Sequence, residues 1–508
     1  MFAIAALTAL LLLERWEYLV AYLSPANVLL WRIVIIGGSL VFLFGWFVLL
    51  APASGRTRLI TALTGIASIA MAAYLFRIEG NSGDLNPHLV FRWKPKADES
   101  LAVAVPVPGE AVSAVEVQTS DTDYPEFLGS GRHATVDGVG LATNWTAHPP
   151  KAVWGPQPVG AGWSGFSIVG KQAFTQEQRG EDELVTCYNL ESGKLEWSHA
   201  DRVRFNNVMG GDGPRATPTV VDRRVYALGA TGLLTCLDQA TGKQVWQRNI
   251  VEENKSSIPD WGKSCSPLVT GNLVIVSAGG PDEKSLVAYD RHTGEPVWSG
   301  GDDKSAYASP VLMTLAGIPQ ILIVNANSIV SHDPADGRVL WSHEWPGKSP
   351  SVSQSVLVGN DRLFVSKGYG EGCQLWQVAR TLGNEWTVSV LWKNLNLKTK
   401  FTNVVVRDGF VYGLDEGILT CLNLADGSRR WKQGRYGHGQ ILLVGNLILV
   451  QAETGYVALV DATPKKFKEL ARFDALHEQT WNNPALSGQY LLVRNAQEAA
   501  CYELPLAD

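Results

Sequence analysis

The chain has 508 residues, of which 46% are apolar and 18% charged, and its net charge is -6 at pH 7, so it can bury a large core and presents no basic footprint. That charge gives no support to nucleic-acid binding, which draws its affinity from neutralising phosphates. Eighteen tryptophans are the compositional oddity.

The first 80 residues differ from the rest. Residues 28–51 are nearly free of charge apart from Arg32, and about 20 apolar residues suffice to cross a bilayer core as a helix. Residues 59–76 form a second apolar segment in which Ala62, Gly65, Ala67, Ala70, Ala72 and Ala73 permit close helix packing. Glu14, Arg15 and Glu17 interrupt the apolar run that begins the chain, so residues 1–23 are read as a third span or as an interfacial segment. The loop 52–58 carries Arg56 and Arg58 and no acid, which places it in the cytoplasm and everything after Phe76 outside. With no basic stretch leading to a small-residue cleavage site, the segment is read as a retained anchor. Residues 1–80 are thus a transmembrane anchor of two or three helices, and residues 81–123, rich in Ala, Val and Pro, an extended linker. The soluble domain begins with the return of aromatic residues and glycine at 124–133, YPEFLGSGRH.

A repeat dominates residues 124–508. Residues 225–246, VYALGATGLLTCLDQATGKQVW, hold two β-type runs and a turn from Asp238 to Gly242, followed by Trp246. An Asp side chain can bond amides two residues on, and Gly takes positive φ without strain. The frame of Asp or Asn, then Gly four on, then Trp four after that recurs at Asn189/Gly193/Trp197, Asp290/Gly294/Trp298, Asp333/Gly337/Trp341 and Asn423/Gly427/Trp431. Looser closing positions are Trp154, Trp392 and Phe473. The eight positions are separated by 43, 49, 52, 43, 51, 39 and 42 residues, and units of about 40–50 residues with four short strands are propeller blades. Residues 151–154 end a unit whose beginning is missing, and residues 484–504 begin one that lacks its tryptophan. The expectation is an all-β, eight-bladed propeller closed by strand 151–157 pairing into the C-terminal blade, after an α-helical anchor.

In CLDQATGKQVW, VAYDRHTGEPVW and CLNLADGSRRW the chain resembles the PQQ-like (pyrroloquinoline-quinone) repeat family over about residues 124–508. Pro125, Phe127, Gly129 and Arg132 fit an opening motif of its membrane-anchored bacterial members, a subgroup without assigned chemistry. The wider family implies either a quinoprotein dehydrogenase or a partner-binding envelope propeller. Eight-bladed quinoprotein dehydrogenases hold PQQ over calcium with a vicinal Cys-Cys ring, and this sequence has no adjacent cysteines. Cys187, Cys236 and Cys421 stand ten residues before their tryptophans, with Cys501 at the matching point of the last unit, and are read as small buried hydrophobes. Cys265 and Cys373 have no assigned role, and a disulfide between them is the pairing left open.

Generic catalytic signatures are weak. Gly160, Gly162 and Gly165 form a G-x-G-x-x-G, but strand-like residues follow it, leaving no helix N-terminus for a pyrophosphate. None of the nine histidines has the spacing of a local zinc motif. What remains is position. In a propeller the loops before the innermost strands converge on one mouth of the channel. The polar residues there are Arg215, Ser264, Tyr307, Gln354, Thr402, Asn403, His438, Trp481 and Asn482. They are read either as a cradle for an anionic or planar ligand or as groups that satisfy the channel wall. The repeat tryptophans Trp154, Trp197, Trp246, Trp298, Trp341, Trp392 and Trp431 are read as sheet-to-sheet packing. Trp386, in the insert 380–389, is a candidate partner surface.

The functional expectation is a non-catalytic binding or scaffold module of the bacterial envelope, anchored in the cytoplasmic membrane with its propeller outside. No cofactor or metal is assigned to it, and it binds either an envelope protein partner or a small ligand at the channel mouth. The alternative is a PQQ- and calcium-dependent dehydrogenase that passes electrons to the membrane.

Overall fold

The computed structural model describes residues 25–83, 87–96, 98–101, 120, 122–207, 210–347 and 349–507. The reading of residues 1–23 as a third span or interfacial segment lies outside them. The chain divides into two compact units.

The first unit holds helices α1, Pro25–Leu50, and α2, Gly55–Leu75. Ser54 caps α2 by accepting a bond from the Thr57 amide at 3.2 Å. Arg58 reaches back to donate to the Leu49 carbonyl at 2.9 Å and to that of Ala51, so it satisfies carbonyls left open where α1 ends. By length and composition α2 can cross a membrane, and no residue of it is buried. A hairpin of β1, Phe76–Asn81, and β2, Pro87–Phe91, follows directly. The stretch expected to be an extended linker therefore contains a strand, held by stacking of Phe76 on Phe91 at 4.8 Å and of Phe91 on Trp93 at 5.6 Å.

In the second unit the repeats form eight antiparallel sheets. The inner strands of blades 1 to 8 are Ser167–Val169, Thr219–Val221, Leu268–Thr270, Val311–Leu315, Val356–Val358, Val405–Arg407, Gln440–Val444 and Ala485–Ser487. Each sheet then runs outward in chain order, except that the outer strand of blade 8 is Lys151–Pro158, paired with Glu498–Glu503. Blade 7 gains a fifth strand, Thr135–Val136, parallel to its inner strand. The four cysteines in repeat register lie opposite their tryptophans across the two outer strands: Cys187 and Trp197, Cys236 and Trp246, Cys421 and Trp431, Cys501 and Trp154. All six cysteines are free and buried, so Cys265 and Cys373 are not bridged.

The tryptophans act between blades. Five indoles lie against the turn glycine of the next blade: Trp154 on Gly193, Trp197 on Gly242, Trp246 on Gly294, Trp298 on Gly337 and Trp392 on Gly427, while Trp431 packs on Phe467. Most also donate to a carbonyl of that blade, as Trp154 does to Leu190 at 2.8 Å, Trp197 to Gln239 at 2.9 Å and Trp246 to Arg291 at 3.0 Å. Trp392 and Trp431 do the same toward Leu424 and Thr463, both at 2.8 Å. This explains the spacing of the frame, because the glycine leaves room for a ring and its positive φ turns the chain beneath it. Trp341 departs from the pattern. Blade 5 has no such turn, so the Trp341 indole donates at 2.8 Å to Gln320 of its own blade, and a cleft of about 730 Å³ opens at that seam. Trp386 is half-buried and packs beside Trp341, Trp345 and Trp376.

The opening segment of the domain crosses the channel. Tyr124 bridges to Ile168 of blade 1, the Pro125 carbonyl accepts from Val220 of blade 2, and the chain then joins blade 7 at Thr135. Between them Arg132, 3% exposed, donates to Ser266 at 3.0 Å, to Pro310 at 2.9 Å and to the Pro267 carbonyl, and its Nε pairs with Glu126 at 2.7 Å. One guanidinium thus satisfies carbonyls of blades 3 and 4, which a lysine point charge could not do.

Candidate functional site

The loops that enter the inner strands are stitched together by one repeated bond, in which a side-chain oxygen of one blade accepts from a backbone amide of the blade before it. Thr217 accepts from Gly165 at 3.1 Å, Ser266 from Thr217 at 2.9 Å, Ser309 from Ser266 at 2.9 Å, Gln354 from Ser309 at 3.0 Å and Asn403 from Gln354 at 2.9 Å. Amide side chains complete the circle. Gln440 donates to the Phe401 and Trp481 carbonyls at 3.0 and 2.9 Å, and Asn482 donates to Gly162 and Ser164 at 3.1 and 2.8 Å. Gln354, Asn403 and Asn482, expected as possible ligand contacts, belong to this belt. Thr402 is buried, with its hydroxyl on the Asn403 carbonyl at 3.3 Å and its own carbonyl accepting from Ser353 at 2.6 Å. Gly160, Gly162 and Gly165 lie between two strands, and the Gly160 amide donates to Glu177 at 2.6 Å.

Two residues before each belt position, and one before it at Asn482, lies the collar of the mouth. For the eight loops these residues are Trp163, Arg215, Ser264, Tyr307, Val352, Phe401, His438 and Trp481. The sequence reading found five of them and missed Trp163, Phe401 and Val352, because it looked for polar groups where the chain supplies rings. The alignment of W-S-G, R-A-T, S-C-S, Y-A-S, F-T-N and H-G-Q on the belt residue was the available signal.

The collar side chains meet across blades. Trp481 packs on Trp163 and on Phe401, each at 4.7 Å between ring centres, and Phe401 packs on His438 at 5.3 Å. The loops bearing Phe401 and Trp481 are not neighbours, so rings from them can touch only near the axis. On the facing side Trp261 packs on Tyr307 at 5.1 Å, and Arg215 lies 4.6 Å over the Phe205 ring. The rings of Trp163, Phe205, Trp261, Tyr307, Phe401 and Trp481 are all half-buried.

The charges of the mouth are engaged within it. Arg215 donates to the Trp261 carbonyl at 2.8 Å and to that of Gly213, and burial lowers its pKa to about 10 against the pull of Glu183 and Asp212. Glu183 accepts from the Ala230 amide at 3.0 Å, and burial raises it to about 7. Glu453 holds the Trp481 indole and the His438 amide, each at 2.9 Å. Lys400, buried, lies 3.3 Å from Glu416 and 3.3 Å from His438 Nε2. Ser264 bonds its own loop at the Gly262 carbonyl, 3.3 Å away.

These residues do not suit PQQ over calcium. Calcium takes six to eight oxygen ligands, whereas Glu183, Glu416 and Glu453 sit on separate loops, each held by a donor or beside a cation. Among the described residues no three His, Cys, Asp or Glu side chains are grouped to hold a metal ion.

The model of a family described as outer membrane protein assembly factor BamB matches residues 181–433. BamB of Yersinia pestis is 28% identical over 334 residues, 62% of this chain and 81% of that protein. BamB of Bordetella pertussis is 22% identical over 400 residues, 76% of this chain and 92% of that protein. The quinoprotein alcohol dehydrogenase PedH of Pseudomonas putida is 26% identical over 202 residues, 34% of this chain but only 32% of PedH. Among solved structures, the quinohemoprotein alcohol dehydrogenase from Comamonas testosteroni superposes with a TM-score of 0.55 at 13% identity, covering 76% of this chain and 81% of that one, a likeness of fold.

Proposed function

We propose that this chain, a member of the PQQ-like repeat family of β-propellers, is a non-catalytic binding module of the cell envelope whose binding face is the collared mouth. The observation that carries this reading is the chemistry of the mouth: Arg215, His438 and Glu453 are bonded to neighbouring loops, and the collar groups left half-exposed include the rings of Trp163, Tyr307, Phe401 and Trp481. Such rings supply contact area for recognition. The likeness to assembly factors of the outer membrane supports an envelope setting. The apolar helices, with Arg56 and Arg58 in the first turn of the second, support an anchor in the cytoplasmic membrane with the propeller on its outer side.

The likeness to PedH favours a second reading, a quinone-dependent dehydrogenase. Adding PQQ and calcium to the purified chain separates the two. The binding reading expects no quinone absorption band and no dye reduction, and it expects the Arg215→Ala, His438→Ala double variant to lose envelope proteins that the parent chain retains in pull-downs. Dye reduction, or retention unchanged in the double variant, refutes it.

A further inference from the structure

We propose that the mouth binds a neutral oligosaccharide, stacked on the collar rings and hydrogen-bonded at their foot. This rests on the reading of the collar as the binding face. Three observations carry it.

The first is the arrangement of rings. Trp163, Trp481 and Phe401 make a continuous half-buried surface on one side, and Trp261 with Tyr307 makes a second on loops across the ring. The apolar C–H face of a pyranose lies flat on such a ring, and two separated platforms suit a chain of sugars better than a single one.

The second is the kind of polar group beneath them. Gln354 Nε2, Gln440 Oε1, Asn482 Oδ1 and the hydroxyls of Ser351 and Ser355 are buried without a hydrogen-bond partner within the protein. All belong to the loops that carry the collar or to the first residue of the strand that follows. Buried polar atoms are normally bonded, so a set of open amide and hydroxyl groups under aromatic platforms calls for an occupant that both donates and accepts. Hydroxyl groups of a sugar do both.

The third is charge. A site for an anion would present a cation to the ligand, but Arg215 is bonded to the Trp261 and Gly213 carbonyls and Lys400 lies against Glu416. Beside Lys367 Nζ and the Glu416 oxygens, which are of opposite sign and offset one another, the groups the mouth leaves without a partner are neutral amides and hydroxyls.

The test titrates the detergent-purified full chain with chitotriose, cellotriose and maltotriose, reading tryptophan fluorescence and heat. Saturable binding of at least one trisaccharide is expected. Phe401→Leu keeps apolar volume without the ring and should weaken that binding by about tenfold, about 1.4 kcal/mol, with an unchanged unfolding midpoint. Trp481→Ala should weaken it further. The proposal is overturned if none of the three sugars binds, or if binding survives both substitutions. When no sugar binds and the Arg215→Ala, His438→Ala variant still loses its protein partners, the oligosaccharide fails while the binding-face reading stands. When neither sugars bind nor partners are lost, both fail.

Discussion

Replacing Gly242 by alanine tests the interblade latch quantitatively. Gly242 has φ of +68°, and a Cβ there would lie 2.6 Å from Trp197 Cδ2 and overlap its Cε3. The left-handed backbone alone costs about 1–2 kcal/mol for a residue with a side chain. Forcing the packed indole aside adds about 1–3 kcal/mol, for a total of about 2–5 kcal/mol. Gly409 provides the control, with φ of +80° and no atom within 4 Å of its would-be Cβ, so Gly409→Ala should cost only the backbone part, about 1–2 kcal/mol. Trp197→Ala by itself should cost about 3–5 kcal/mol, because it empties a buried site and leaves the Gln239 carbonyl without its donor. In that background the clash disappears, and Gly242→Ala should fall to the Gly409→Ala value, a coupling of about 1–3 kcal/mol. Equilibrium urea unfolding of the full chain in mild detergent, followed by far-ultraviolet circular dichroism, measures all four variants. An equal cost for Gly242→Ala with and without Trp197 would refute the latch.

Two further outcomes follow from buried charges. Arg132→Lys should destabilise the chain by about 3–5 kcal/mol, since the carbonyls of Ser266, Pro267 and Pro310 lose a fork that one ammonium cannot replace; a change below about 1 kcal/mol in the same unfolding assay would remove the clasp from the account. Glu183 is raised from 4.5 to about 7, so between those values the folded chain holds more protons than the unfolded one and stability falls as pH rises through the window. Glu183→Gln keeps a group able to accept from Ala230 and removes the titration, so the variant should gain on the parent between about pH 5 and about pH 8, read from unfolding midpoints. An identical pH dependence in the two chains would show that Glu183 titrates normally.

The repeat was legible because its signals are local. An Asp or Asn side chain caps amides two and three residues on, as Asn189 does for Glu191 and Ser192 at 3.2 and 3.0 Å, and Gly and Trp follow at fixed spacing within one hairpin. Counting that frame was enough for an eight-bladed propeller. The partner of each tryptophan was not legible, because the glycine it covers lies in the next unit, and neither was the missing latch at Trp341, which depends on what blade 5 lacks.

The mouth divides in the same way. That the loops before the inner strands carry its residues follows from the order of strands in a blade, which any one repeat contains. Which of those residues bond the wall and which face the opening depends on where eight loops meet. Asn482 reaches Gly162 and Ser164 from more than 300 positions away, and Trp481 finds Trp163 only because the last blade closes against the first. Composition and local turn chemistry thus determined the blade and its number. Ring closure alone decided that Gln354, Asn403 and Asn482 became a belt and that rings the sequence left unmarked became the collar, because hydrogen bonds and stacking act over a few ångströms and only the closed ring brings those distant loops within reach.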